Sequence, residues 1–328
     1  MDKLTDNYRL NIVFLDADTV GTDISLELLS SLGNLKTYAQ TSADETIKRS
    51  VNADVLIVNK VMIDAAIMNA CPQLKLICVA ATGVNNIDLE AAEKHNITVK
   101  NVAGYSTESV VQTTFSSLLA LIGQTIYFND YVQSGLYTQS PIFTHFGKSF
   151  SELNGKQFGI IGMGTIGKRV AEVATAFGAY VVYYSTSGKN NNPDYQRMEL
   201  DKLMSGSDII CIHAPLNDNT KNLITRTQLR LMKPTAFLTN MGRGGIVNEA
   251  DLAQALNDNI LAGAALDVFE REPMLPSHPF LSIRDKHKLI LSPHIAWASI
   301  EARKRLIQAI AENIRSTFPM TNSSIHNY

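Results

Sequence analysis

From Leu10 onward, short β-branched apolar runs alternate with stretches whose apolar residues recur at helical spacing. Leu10–Leu15, Leu35–Tyr38, Val55–Val58, Leu74–Val79 and Thr98–Asn101 read as strands. Ile24–Leu32, Ala43–Val51, Asp64–Ala70 and Leu89–His95 read as the helices between them. Near-continuous apolar strands alternating with helices imply a parallel sheet covered on both faces. The pattern then breaks. Ser106–Tyr131 reads as one long helix, with Val110, Val111, Phe115, Leu118, Leu119 and Ile122 as its apolar positions. Tyr131–Ser151 is irregular and carries Tyr137, Phe143, Phe146 and Phe150 among polar residues. A loop that long inside a compact chain is usually functional or an oligomer arm.

A second parallel unit follows, with strands Gln157–Ile161, Tyr180–Tyr184, Ile209–His213, Ala236–Asn240, Gly263–Asp267 and Leu289–Leu291. From Ser299 runs an amphipathic helix (Ala302, Leu306, Ile307, Ile310, Ile314), whose economical resting place is the first domain. The expected fold is α/β with two Rossmann-like parallel-sheet domains. The first, 1–104 plus 297–328, is discontinuous, flavodoxin-like and substrate-binding; the second, 105–296, binds a dinucleotide. The polar tail Pro319–Tyr328 is expected to fray.

Composition narrows the function classes. The chain has 328 residues, 45% hydrophobic and 18% charged, with formal net charge −2, long enough for two domains with cores of their own. Near-neutral charge without a Lys/Arg block argues against a nucleic-acid partner. No apolar stretch is long enough to span a membrane. Cys71, Cys78 and Cys211 are odd in number, widely spaced and set in apolar runs, which reads as buried reduced thiols rather than disulfides or metal ligands. Met1–Asn11 is polar and lacks the apolar core of a signal peptide. Together these features point to the cytoplasm.

The most informative run is Gly159-Ile160-Ile161-Gly162-Met163-Gly164-Thr165-Ile166-Gly167, between a strand and a helix. Gly162 allows a sharp turn, Gly164 lets a pyrophosphate approach the backbone, and Gly167 lets the helix pack close on its strand. Free N–H groups at the helix start, aided by the helix dipole, face the phosphates. An NAD site usually ends its second strand with Asp or Glu for the adenine ribose; here that position is Ser185. Serine cannot accept bidentately from a diol, and it does not repel a 2′-phosphate. Thr186, Ser187 and Lys189 follow as possible donors. The reading leans slightly to NADP, with NAD held through backbone and Ser185 as the alternative.

Three further segments leave strand ends. Arg243 lies between glycines in Asn240–Gly245, where its guanidinium fork suits a carboxylate. Gly263–Pro273 delivers Asp267 and Glu272. Ser292–Trp297 carries His294, three residues before the only tryptophan. Each alone reads as an ordinary surface or loop residue. In a parallel sheet, however, strand carboxyl ends share one edge, the edge of the glycine loop. Arginine, histidine and carboxylate beside a nicotinamide make a hydride-transfer site: arginine binds the substrate, histidine moves the proton, and the carboxylate stabilises the charged histidine.

With these residues in view, the chain resembles the D-isomer-specific 2-hydroxyacid dehydrogenases, in particular the glycerate dehydrogenase/hydroxypyruvate reductase branch. The resemblance covers nearly the whole chain and rests on GIIGMGTIG, HAPLNDNT, NMGRGGIVNEADL, GAALDVFEREP and SPHIAWAS. It implies Arg243 as substrate binder, His294 as acid/base and Glu272 as its partner. The glycine run and the loop after the second strand give a cofactor site of Gly162, Gly164, Thr165, Ile166, Gly167, Ser185, Thr186 and Lys189; the resemblance adds His213, Pro215, Thr220 and Met241, with Asp267 near the nicotinamide carboxamide. Backbone amides at Thr82 and Gly83 would hold the substrate carboxylate, and Trp297 would line the substrate pocket. No metal is implied. The family implies a homodimer built around the cofactor domains, with Ser106–Tyr131 and the following loop contributing. The expected reaction interconverts a small 2-oxo acid and its (R)-2-hydroxy acid with NAD(P), hydroxypyruvate or glyoxylate being the first candidates. Ser185 departs from the family's common acid, Gly242 from its alanine before the arginine, and Gln112 from a common glutamate. Tyr105, Tyr137 and Phe143 leave open a pocket for bulkier 2-oxo acids or mere loop packing. A dinucleotide-sensing corepressor of the same fold is the alternative from another class. A formate dehydrogenase fits less well, because its relatives carry a neutral amide where Glu272 stands.

Overall fold

The computed structural model describes residues 9–319. Most of the polar N-terminal stretch Met1–Asn11 and the tail after Pro319 lie outside the described residues. The chain divides into two compact units, Met1–Ser106 with Ala298–Tyr328, and Thr107–Trp297.

The first unit is a five-stranded parallel sheet: β1 (Leu10–Phe14), β2 (Gly33–Thr37), β3 (Val55–Val58), β4 (Leu76–Val79) and β5 (Thr98–Lys100), in the order β2-β1-β3-β4-β5. That is the flavodoxin-like order. β3 and β4 are buried at every position, as strands covered on both faces must be. Its helices are α1 (Glu27–Ser30), α2 (Ala43–Ser50), α3 (Ala65–Ala70) and α4 (Leu89–Lys94). Asp64 and Asp88 cap α3 and α4 by accepting from Ile67 and Ala91 N–H, each worth about 1 kcal/mol. The helix expected over Ile24–Leu32 is confined to the four residues of α1, with Ser25 Oγ accepting from Glu27 N–H at its start. Beyond β1, the buried Asp16 carboxylate accepts from Asn59, Lys60 and Val61 N–H at 2.6–3.2 Å. The amides at this switch point are thus satisfied internally.

The second unit opens with α5 (Thr107–Ile122) and α6 (Thr125–Gln133). The single helix expected over Ser106–Tyr131 is therefore two. The break falls at Gly123–Gln124, where Gln124 takes a left-handed backbone (φ 51°), which no right-handed helix can include. A seven-stranded parallel sheet follows: β6 (Gln157–Ile161), β7 (Tyr180–Tyr184), β8 (Gln196–Arg197), β9 (Ile209–Ile212), β10 (Phe237–Asn240), β11 (Gly263–Leu266) and β12 (Leu289–Leu291). The order is β12-β11-β10-β9-β6-β7-β8. The short exposed edge strand β8 carries no apolar run, so hydrophobic patterning missed it. Helices α7 (Thr165–Ala176), α8 (Leu200–Gly206), α9 (Arg226–Leu229) and α10 (Glu249–Asn257) connect the strands. One face of the sheet packs under α5 and α7 through Phe115, Leu118, Phe158, Ile160, Val170 and Ala174. The last helix, α11 (Ile300–Thr317), packs against α1 and β4 of the first unit. Ser299 caps it, accepting from Ala302 N–H.

Candidate active site

The switch point of the second sheet lies between β6 and β9, where ligands of open α/β sheets bind. Gly162 leaves β6 with φ 96°, and a Cβ there would press on the backbone of His213 and Ala214. Only glycine serves this turn. A Cβ on Gly167 would run into the Gly162 carbonyl, so α7 sits tight on its strand. A Cβ on Gly164 would meet nothing within 4 Å, which leaves the approach to the backbone open. The helix ladder begins with Lys168 N–H to Gly164 O at 2.9 Å. The N–H groups of Thr165, Ile166 and Gly167 therefore lie ahead of it, available to an anion. A cleft of about 580 Å³ adjoins this turn, lined by Met163, Gly164, Thr165, Lys168 and Asn190 among others. These features fit the pyrophosphate of a dinucleotide.

Ser185, Thr186 and Lys189 follow β7. Ser185 is buried, and its Oγ accepts from Asn190 N–H at 3.2 Å. Asn190 in turn donates through Nδ2 to Met163 O at 2.5 Å, tying the loop after β7 to the glycine turn. Lys189 is exposed. Sequence reasoning missed Asn190, whose only signal was its place in a polar loop.

After β9, both ring nitrogens of His213 are shielded from solvent and have no hydrogen-bond partner among the described residues. Burial pushes this imidazole down to about 4, so it is neutral near pH 7. Orphaned imidazole nitrogens at the switch point are a second feature that fits a polar ligand. Pro215 is exposed. Thr220 is buried and spends its hydroxyl on its own loop, donating to Pro215 O (2.7 Å) and accepting from Asn217 N–H (2.8 Å).

After β10, Asn240 organises the arginine loop. Its Nδ2 donates to Arg243 O (2.9 Å) and its Oδ1 accepts from Gly242 N–H (3.0 Å). Sequence reading passed over Asn240, although asparagine at a strand end is a familiar turn-maker. Arg243 is exposed and returns one N–H to Gly242 O (2.8 Å), leaving the rest of its fork without a partner among the described residues. Met241 is buried with Val110, Leu121, Ala265 and Ala296, and the half-buried Trp297 packs on the same cluster.

After β11 and β12 come the carboxylates and the histidine. Asp267 is 1% exposed. It accepts from Ser292 Oγ (2.5 Å), Ile295 N–H (2.9 Å) and Ala296 N–H (2.8 Å), while its carbonyl accepts from His294 N–H (2.8 Å). Burial raises its pKa, with those hydrogen bonds and the nearby His294 pulling the other way. Asp267 therefore clasps the histidine loop. That clasp matters because His294 has φ 55°, a left-handed conformation costly for a side chain with a Cβ and kept only where the surroundings enforce it. His294 Nδ1–H donates to Glu272 Oε2 at 2.7 Å, and Glu272 Oε1 accepts from Phe269 N–H at 3.0 Å. The carboxylate fixes the ring's orientation and leaves Nε2 for other chemistry. β10, β11 and β12 are successive neighbours, so Arg243 and His294 leave strands about 10 Å apart.

Thr82 and Gly83 belong to the first unit, in the turn after β4. Thr82 Oγ1 donates to Val102 O (3.1 Å) and its carbonyl accepts from Asn101 Nδ2 (2.5 Å), which holds the turn in place.

Residues 115–296 match the family described as D-isomer specific 2-hydroxyacid dehydrogenase, NAD binding domain. The glyoxylate reductase of Aeropyrum pernix is 36% identical over 300 residues, covering 88% of this chain and 88% of that one. The glycerate dehydrogenase of Methylorubrum extorquens is 34% identical over 306 residues, 93% of this chain and 95% of that one. The structure of Aquifex aeolicus D-lactate dehydrogenase with NAD and lactic acid superposes with a TM-score of 0.81 at 26% identity, covering 93% and 95% of the two chains. The chain belongs to the D-isomer-specific 2-hydroxyacid dehydrogenase family and is an oxidoreductase with a nicotinamide-dinucleotide-binding domain.

Proposed function

We propose that this protein reduces a small 2-oxo acid, either hydroxypyruvate to (R)-glycerate or glyoxylate to the achiral glycolate. The reduced nicotinamide dinucleotide supplies the hydride. The observation that carries this reading is the His294–Glu272 pair, held at 2.7 Å on a strained backbone. Glu272 keeps the proton on Nδ1, so a second proton on Nε2 can pass to the substrate carbonyl oxygen as carbon accepts hydride. The positive imidazolium is stabilised by the same carboxylate, and returns to neutrality when the proton leaves. The Arg243 fork binds the substrate carboxylate and polarises the carbonyl. Trp297 lines the pocket. The names of the Aeropyrum and Methylorubrum relatives support the two-carbon and three-carbon substrates.

Gly162, Gly164 and the N–H groups of Thr165, Ile166 and Gly167 would hold the pyrophosphate of the dinucleotide, and His213, Pro215, Thr220, Met241 and Asp267 would line the rest of its site. NADPH is the favoured donor: the stretch Ser185–Asn192 contains no carboxylate to repel a 2′-phosphate, and Thr186 and Lys189 offer donors. The working form is a cytoplasmic homodimer. Support for the dimer is the apolar surface between α6 and β6, where Phe143 is 89% and Phe146 84% exposed.

The test is a panel of 2-oxo acids assayed with NADH and NADPH, for the native protein and His294→Ala. Hydroxypyruvate or glyoxylate should give the highest kcat/KM. The variant should lose between about 10²- and 10⁴-fold in kcat, the usual worth of a general acid, with unchanged affinity for the reduced cofactor. Native-like turnover by the variant removes His294 from this role.

A further inference from the structure

A second carboxylate–histidine pair stands behind the first. Glu249, the first residue of α10, and His278 meet at 2.7 Å through Oε2 and Nε2, with side chains only 12% and 7% exposed. Both side chains are largely buried, unlike those of a surface pair. The His278 ring sits between Phe269 and Phe280, at centroid distances of 5.9 and 4.9 Å. Its Nδ1 accepts from Phe280 N–H at 3.3 Å, so the ring proton is on Nε2 and points at Glu249. The other Glu249 oxygen, Oε1, accepts from Glu270 N–H at 2.7 Å.

Glu272 repeats this arrangement one residue away. Its Oε1 accepts from Phe269 N–H and its Oε2 from His294. The two adjacent amides Phe269 and Glu270 are therefore each held by a carboxylate, and each carboxylate is held by a histidine. The dipeptide acts as a bracket. On one side it orients the more exposed pair that meets substrate; on the other it is anchored by a largely buried pair. From this geometry we infer that Glu249 and His278 are positioning residues for Glu272 and His294, a role that rests on the proposed function of the latter pair. Neither touches the reacting atoms. They fix the backbone from which Glu272 hangs, and a shift of about 1 Å in such a site costs on the order of a hundredfold in rate.

The isosteric change Glu249→Gln tests this. Its amide oxygen can still take the Glu270 N–H, but its NH₂ then faces the Nε2–H of His278. The ring cannot move its proton to Nδ1, because Phe280 N–H already points there. His278→Phe removes the donor outright, whereas His278→Gln returns an amide N–H near Nε2. Two readouts are needed. One is kcat against the KM of the reduced cofactor. The other is the downfield proton resonance of His294 Nδ1–H in the substrate-free protein, assigned by its loss in His294→Gln. Glu249→Gln and His278→Phe should shift or erase that resonance and lower kcat between about tenfold and a hundredfold, with cofactor KM unchanged. His278→Gln should restore both. An unchanged resonance and kcat in folded Glu249→Gln and His278→Phe overturns the inference, as does a loss confined to melting temperature. The NMR readout needs no substrate, so it decides the bracket even where the reductase assignment itself fails.

Discussion

His213 sets a pH limit on the stability of the cofactor-free protein. Its ring is neutral in the fold because burial holds it down to about 4, against an ordinary value of 6.5. Above pH 6.5 the ring is neutral folded or unfolded and contributes no pH dependence. Between 6.5 and 4 the unfolded chain binds the proton and the folded one does not, so stability falls with falling pH. The gap corresponds to about 3 kcal/mol once fully expressed. Urea unfolding at pH 7.5 and 4.5 should show a larger loss in the native protein than in His213→Gln, which has no titrating ring. Equal losses would mean that the ring is hydrated or partnered in solution. Asp267 makes a contrasting case. As a charged residue at a strand end it reads as a ligand contact, and in the fold its carboxylate also accepts three hydrogen bonds from the loop of Ser292–Ala296. Its chemistry was visible in the sequence, but its partners, 25 to 29 positions away, were not.

At the scale of elements, the β6–turn–α7 unit separates two kinds of glycine. Gly167 is needed for packing, since its Cβ would strike the Gly162 carbonyl; Gly164 has open space around it. Gly167→Ala should therefore cost about 1–3 kcal/mol of stability through overpacking and weaken dinucleotide binding with it. Gly164→Ala should leave the melting temperature unchanged and raise the Kd for the reduced cofactor about tenfold or more, by placing a methyl group where the pyrophosphate approaches. Melting curves and cofactor fluorescence titrations of the two variants check this; a Gly164→Ala protein that binds normally would move the phosphate site elsewhere. This unit was legible because local sequence dictates it: an apolar strand, a glycine turn and an amphipathic helix are each encoded within a few residues. The break between α5 and α6 was not, because Leu119, Ile122 and Ile126 continue an apolar spacing across it while the left-handed turn at Gln124 leaves no pattern. The edge strand β8 escaped for the opposite reason, having backbone pairing with β7 but no apolar face. The Glu249–His278 bracket was equally hidden, since its two halves look like a helix start and a loop histidine until the fold joins them.

For the whole molecule, the question is what covers the apolar surface between α6 and β6. Leu136, Ile142, Phe143, Phe146 and Phe150 are all more than half exposed, within fifteen residues of one another. Isolated exposed apolar residues are ordinary, but a dense group of this kind is unusual on a monomer. The neighbouring aromatic groups are already ordered: His145 stacks on Tyr131 with centroids 3.7 Å apart and bonds the Tyr127 hydroxyl at 2.8 Å. Tyr137 donates to Phe143 O at 2.6 Å. An ordered scaffold that presents phenyl rings outward is suited to a matching surface on a second copy. Burying one such ring is worth about 1.5–3 kcal/mol. Phe143 and Phe146 from two copies make four rings, or about 6–12 kcal/mol before the cost of association. That is comparable to the whole free energy of a micromolar complex, about 8 kcal/mol. The double variant Phe143→Ser, Phe146→Ser should therefore sediment as a monomer at micromolar concentration where the native chain sediments as a dimer. Because the two serines replace exposed rings, the far-ultraviolet circular dichroism of the monomer should match that of the native protein. A native chain that is already monomeric, or a double variant that remains dimeric, would assign this surface to something other than a second copy.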